Sequence, residues 1–324
     1  MDKKSAKQAI KIGDDLASAA LVSRSKALKK RTASLQGKSL QGKSKKSQPP
    51  KSVADSPLKM GNMGLLGGAL GNNGVLVAEG DSWFDYPLND VLGCLEDEHG
   101  YDVESVAHMG DRVENMAYAE GQLIDLSRRI EKIIRQGIRP KAILLSGGGN
   151  DIAGDEFGML LNHKKSQISG LNDKVVEGVM ERISLAYATL FASVTLLCKE
   201  GFGQAVPILV HGYDYPIADG RGFMGGWGPL PGPWLDPGFR DKGFDKIGER
   251  IAIMVALIDR FNVMLKSVTG LPQFAGHVIH VDLRGTLRND MKTYAKDWAN
   301  ELHPTGDGFS LVTQKFASIL RKLP

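Results

Sequence analysis

The strongest constraint on the fold is an alternation that begins at Val75 and continues almost to the C-terminus. Five short apolar stretches, "VLVAEG", "DVESVAHMG", "AILLSGGGN", "AVPILVHG" and "HVIHVD", each end in Gly, Asn or Asp, as strands closed by turns do. Between them apolar residues recur at helical spacing, first from Val113 through Met116, Ala117, Leu123, Ile130 and Ile134. The same stripe returns from Val175 through Val179, Ile183, Leu190 and Val194, and again from Phe244 through Ile247, Ile251, Met254, Ile258 and Leu265. Strand and helix alternating in this way predict an open, mostly parallel α/β sheet with helices on both faces. Ligands of such sheets bind beyond the carboxyl ends of the strands. Gly80-Asp81-Ser82, His108-Met109-Gly110, Gly147 to Asp151 and His211-Gly212-Tyr213 should therefore crowd one edge.

Charge divides the 324-residue chain in two. Residues 1–60 hold 15 Lys/Arg against 4 Asp/Glu, a net +11, whereas the remainder holds 26 against 33, a net −7. A modest helix is expected over residues 5–30. The segment that follows, "SLQGKSLQGKSKKSQPPKS", repeats Leu-Gln-Gly-Lys-Ser and buries too little apolar surface to offset its ordering entropy. Residues 1–60 are accordingly expected to be a flexible, disordered basic arm, and "GNMGLLGGALGNNG", 61–74, a Gly-rich approach to a domain spanning 75–324. Lysine without interleaved aromatics suits charge attraction to an anionic membrane or nucleic acid rather than base reading. A solubilising arm and a transport address are equally consistent with it.

The N-terminal lysines lack a following apolar core, so no ordinary cleaved signal is expected. No run approaches the roughly 18 apolar residues that span a bilayer, which makes the cytoplasm the default expectation and leaves non-classical secretion open. Cys94 and Cys198 lack metal spacing and are expected to be buried free thiols. Nothing in the composition sets an oligomeric state.

Taken in order, the strand ends offer Ser82, Gly110, Asn150 after three glycines, and, near the C-terminus, His303 in "WANELHPTGDGF". Each alone reads as easily as a turn or cap residue. Together, the blocks "EGDSWF", "AHMGDRV", "SGGGNDI" and "ELHPT" resemble those of the SGNH, or GDSL-like, hydrolases, over roughly residues 75–324. The resemblance implies a three-layer α/β/α, flavodoxin-like sheet of five strands and a serine esterase or lipase that needs neither metal nor cofactor. It assigns Ser82 as nucleophile, His303 as base, and the Ser82 and Gly110 N–H groups with the Asn150 amide as oxyanion hole. The chemistry of the residues agrees: a hydroxyl needs an adjacent base to become nucleophilic, and a developing oxyanion needs preorganised donors. The family usually carries Asp three residues before the histidine, and position 300 here is Asn. Asn300, a backbone carbonyl or Glu301 remain open as the group that orients the imidazole.

His211 and Asp214 lie at the fourth strand end, as substrate contacts or as a structural pair. Asp81 supports the turn and is a candidate substrate contact. Residues 219–239 contain seven glycines, four prolines and two tryptophans, a composition that excludes a regular element and suits a functional loop. Phe223, Trp227 and Trp234 would form a lid or apolar wall, or else anchor the loop to the core. The expected substrate is a small-molecule, lipid or sugar ester. Two other functions remain in view. Asp81, Asp85, Asn150, Asp151, His211, His277 and His280 are the ligand types of a metal-dependent phosphoesterase. Asn300 in place of an acid suits a binding module on a weakened esterase scaffold.

Overall fold

A computed structural model describes residues 1–41, 73–154, 156–225 and 230–324. Five strands, β1 (Val75–Gly80), β2 (Asp102–Ser105), β3 (Ala142–Ser146), β4 (Ile208–His211) and β5 (Val278–Val281), form one sheet. Its order is β2-β1-β3-β4-β5 and every pairing is parallel, the flavodoxin-like arrangement in which the chain reverses direction between β1 and β3. The central strands β1, β3 and β4 are buried along nearly their whole length, and the edge strands β2 and β5 are partly exposed. That difference explains the near-continuous apolar runs of the former.

The helices are α1 (Lys3–Gln41), α2 (Val91–Asp97), α3 (Val113–Tyr118), α4 (Glu120–Arg135), α5 (Asp173–Phe202), α6 (Asp236–Asp241), α7 (Ile247–Thr269) and α8 (Gly306–Leu320). Helices α2 and α8 pack together, while α3, α4, α5 and α7 touch one another in a second layer. The result is a three-layer α/β/α sandwich. Asn172 caps α5, accepting the Val175 N–H, and Gly203 ends it with φ 75°. Thr305 caps α8 through the Gly308 N–H, which pins the chain two residues after His303. Both cysteines are buried and unpaired.

Helix α1 corrects the expectation of a flexible arm over residues 1–60. From Lys3 the chain is helical through Gln41, and its first half is docked on α5 and α4. Ala6, Ala9, Ala17 and Ala20 are buried, and small residues let the backbones approach closely. Thr189 and Ser193 of α5 donate their hydroxyls to the Ala9 and Gly13 carbonyls at 3.1 and 2.9 Å. Arg24 reaches Glu131 of α4 through two hydrogen bonds of 3.2 and 2.7 Å. Alanine and glycine give a weak hydrophobic signal, so the sequence shows a helix there without showing that it docks. Residues 42–60, and 61–72 of the Gly-rich approach, lie outside the described residues.

Helix α5 also departs from expectation. It contains an 18-residue stretch of mean hydropathy 1.3, long and apolar enough to cross a membrane by composition, yet 78% of that stretch is buried inside the protein. Its outer face is the one α1 covers. A Cβ at Gly13 would stand 2.3 Å from the Thr189 carbonyl oxygen, so a bulky residue there must lift the helix. Gly13→Leu is expected to cost about 1–3 kcal/mol by overpacking, read as a lower Tm, and to speed amide exchange selectively over residues 3–24.

Candidate active site

Strand β1 ends at Gly80, and the next two residues set the site. The buried Asp81 carboxylate accepts the Trp83 N–H at 3.0 Å and the Ser146 hydroxyl at 2.6 Å, and it also takes the Tyr213 hydroxyl. It thereby ties the turn after β1 to the ends of β3 and β4. Asp81 is thus a strut of the turn, and it also lines the cavity at Ser82. Ser146 in turn bonds His211 Nε2 at 2.7 Å, and His211 Nδ1 lies 3.1 Å from the Gly212 carbonyl. His211 is fully buried, and burial lowers its pKa. The expectation of a substrate contact fails for His211, because its imidazole has no exposed surface. Asp214 does not pair with it. Its carboxylate instead receives the N–H groups of Gly285, Thr286 and Leu287 at 2.8, 2.8 and 2.6 Å.

Held by this strut, Ser82 places its Oγ 2.7 Å from His303 Nε2, across 221 residues of sequence. The Trp83 indole donates to the Leu302 carbonyl at 3.1 Å, so the two segments are joined beside the contact as well as through it. His303 Nδ1 lies 3.1 Å from Asn300 Oδ1, the position a triad carboxylate would occupy. Two backbone N–H groups, of Leu302 and His303, also donate to that oxygen, both at 2.9 Å. The amide nitrogen donates to the Tyr86 hydroxyl at 2.9 Å. These bonds assign the amide: its oxygen faces the imidazole, so the ring carries its proton on Nδ1 and leaves Nε2 free to accept from Ser82.

Tyr86 does more than orient the amide. Its ring stacks on His303 with centroids 4.1 Å apart and an interplanar angle of 16°. Phe223 packs edge-on to Tyr86, and Trp234 edge-on to His303, at centroid separations of 5.7 and 5.5 Å. Burial pushes the His303 pKa down to about 3. No carboxylate offsets that desolvation, and the neutral ring is the form poised to take a proton.

Glu301, the other candidate for orienting His303, does something different. Its carboxylate accepts four backbone N–H groups, from Gly220, Trp234, Leu235 and Asp236, between 2.7 and 3.1 Å. It gathers both ends of the Gly- and Pro-rich loop and cannot also serve the imidazole. This is what anchors Trp234 beside His303; Trp227 lies outside the described residues. Neither Glu301 nor Tyr86 carries a sequence signal for its partner, since Glu301 meets the backbone of Gly220 and 234–236 and Tyr86 meets Asn300 and His303 only across long stretches of chain.

The remaining members sit on two loops. Asn150 and Gly149 share a cavity with Ser82 and His303. The Asn150 amide donates to the Asp111 carbonyl at 3.0 Å, and the Gly149 N–H to the Tyr213 hydroxyl at 3.0 Å. Gly148 has φ 98°, and a Cβ there would stand 2.6 Å from the Phe261 ring, so only glycine lets this loop approach α7. Gly110 has φ 92° with nothing within 4 Å of its missing Cβ. It belongs to the adjacent exposed loop, which Asp85 holds through the Met109 N–H at 3.0 Å, and it is not part of the cavity wall.

The metal-ligand set is not assembled. His277 bonds Thr195 at 2.8 Å and His280 bonds Asn262 at 3.1 Å, both apart from Ser82, and His211 is sealed as described. Among the described residues no group of three or more His, Cys, Asp or Glu converges as metal ligands would.

No protein-family model matches the sequence, and no curated protein matches it. Solved structures do. A carbohydrate acetylesterase from Sinorhizobium meliloti is 12% identical, with a TM-score of 0.43, covering 76% of this chain and 98% of its own. An acetylxylan esterase from Geobacillus stearothermophilus is 15% identical, with a TM-score of 0.39, covering 78% and 95%. An alpha/beta hydrolase from the metagenome of Lake Arreo, Spain, is 14% identical, with a TM-score of 0.42, covering 78% and 97%.

The buried imidazole makes a prediction that needs no substrate. NMR titration of His303 should show a neutral ring, protonated on Nδ1, down to about pH 3. In Asn300→Asp a carboxylate at Nδ1 favours the imidazolium, and the pKa should rise by about 1–3 units. Titration of wild-type His303 near the ordinary value of about 6.5 would contradict the account.

Proposed function

We propose that this chain is a serine hydrolase of the SGNH type that cleaves carboxylic esters through an acyl-Ser82 intermediate. The observation that carries the reading is the line Ser82–His303–Asn300, in which the hydroxyl meets a ring nitrogen held in the accepting tautomer.

Ser82 Oγ attacks the ester carbonyl carbon while its proton passes to His303 Nε2. The carbonyl oxygen becomes an oxyanion, for which the Asn150 amide and the Ser82 N–H are the donors this reading assigns; the Gly110 N–H would join them only if its loop moved to the cavity. Collapse breaks the bond to the alcohol, which leaves with the proton from His303. Water then repeats the sequence in reverse. It gives a proton to His303 and its oxygen to the acyl carbon, and the acid departs as Ser82 Oγ takes the proton back.

Asn300 weakens this machinery without disabling it. An amide in place of a triad carboxylate is most damaging when its nitrogen faces the histidine and imposes the wrong tautomer. Here two backbone donors and the Tyr86 hydroxyl turn the oxygen inward. The charge of a carboxylate is still missing, and the imidazolium formed during reaction rests on a neutral acceptor and on the face of the Tyr86 ring, an arrangement that attracts cations. That distinguishes the reading from a binding module whose site has lost its function. A role for the basic N-terminal segment in contacting anionic membrane or nucleic acid remains a separate proposal, for which the acid-free sequence from residue 16 to 54 is the support.

A fluorophosphonate should label Ser82 in the folded protein, and labelling should disappear in Ser82→Ala and persist in EDTA. Asn150→Ala should lower kcat on an ester by about 10²–10³. Failure to label Ser82 would overturn the reading.

A further inference from the structure

The cavity that opens at Ser82 runs into the core. Its far wall is Met254, Leu257, Ile258 and Phe261 of α7, and Pro216 and Leu235 close its sides. Leu257, Phe261 and Leu235 are at most 1% exposed, so this is interior surface and not a groove. The polar groups on its walls are already committed. Asp81 and Tyr213 bond each other, Asp214 holds four backbone N–H groups, and the Tyr213 hydroxyl also receives the Gly149 N–H. Among the described residues, the side-chain polar groups of the walls other than the reacting groups are thus engaged within the protein. A sugar ring placed in it would leave hydroxyls buried and unpaired.

Resting on the hydrolase reading above, the geometry points to an acyl pocket that selects unbranched aliphatic acyl groups longer than acetyl, with Met254 and Phe261 setting the limit. The core residues of its far wall limit how long a chain can enter. The acyl side, and not the alcohol, belongs here because of what happens on cleavage. The acyl group stays on Ser82 Oγ while the alcohol must escape to solvent, and a wall of core residues blocks that escape. The alcohol part would then lie outward, toward Trp234.

The test compares kcat/KM of the full chain for 4-nitrophenyl acetate, butyrate, hexanoate and octanoate. Butyrate or hexanoate should exceed acetate by about tenfold or more, the discrimination that one or two buried methylenes supply, and octanoate should fall again. Met254→Trp should lower the hexanoate-to-acetate ratio by about tenfold, and Phe261→Ala should move the optimum toward octanoate. The wild-type profile needs no variant to fold. A profile that is flat or highest with acetate, in protein whose hydrolysis still depends on Ser82, overturns the acyl pocket and leaves the hydrolase reading standing. So does a dependence on alcohol length across a series of alkyl acetates. Loss of all Ser82-dependent hydrolysis would overturn the hydrolase reading, and the pocket with it.

Discussion

One buried carboxylate organises the site. Asp81 collects the hydroxyls of Ser146 and Tyr213 and the N–H of Trp83, so the ends of three parallel strands share a single acceptor. An unpaired carboxylate in this position would carry a large desolvation cost, and an orphaned hydroxyl about 1–3 kcal/mol. The three strand ends therefore hold one mutual arrangement. Ser82 is the residue between Asp81 and Trp83, and its hydroxyl direction is a consequence of that arrangement. The same network consumes His211, at the end of β4, and leaves His303 from the C-terminal segment to meet the serine.

Much of the fold was legible because its information is local and periodic. Buried parallel strands are apolar throughout, so β1, β3, β4 and β5 could be placed from "VLVAEG" to "HVIHVD" alone, whereas the edge strand β2 ends at Ser105, short of the Gly110 that closes its run. Ser82, Asn150 and His303 stood out only together, through the resemblance of their blocks to those of the SGNH hydrolases. What was hidden depends on long-range packing. Nothing adjacent to Tyr86 announces that it will stack on a histidine more than 200 residues away, and Glu301 looks like a candidate partner of His303 until the loop amides claim it. The docking of α1 was hidden differently, since Ala6, Ala9, Gly13 and Ala17 pack well because they are small and score poorly because they are small.

The departure at position 300 then reads as a change of supports. Where a carboxylate would orient and charge-stabilise the imidazole at once, Asn300 orients it and Tyr86 lies against its face. The low pKa of His303 is the physical trace of this division, because burial acts on the ring with no neighbouring anion to oppose it. A base of this kind is always in its accepting form near neutrality but gains less on taking a proton.

The central claim is that Ser82 carries the acyl group. Mixing the protein with 4-nitrophenyl butyrate, quenching in acid within the first turnover and mapping the peptides by mass spectrometry tests it most directly. The account predicts a butyryl adduct on the peptide containing Ser82, absent in Ser82→Ala and decaying as free acid forms. Hydrolysis that proceeds in Ser82→Ala, or an adduct that forms on another residue, would contradict it.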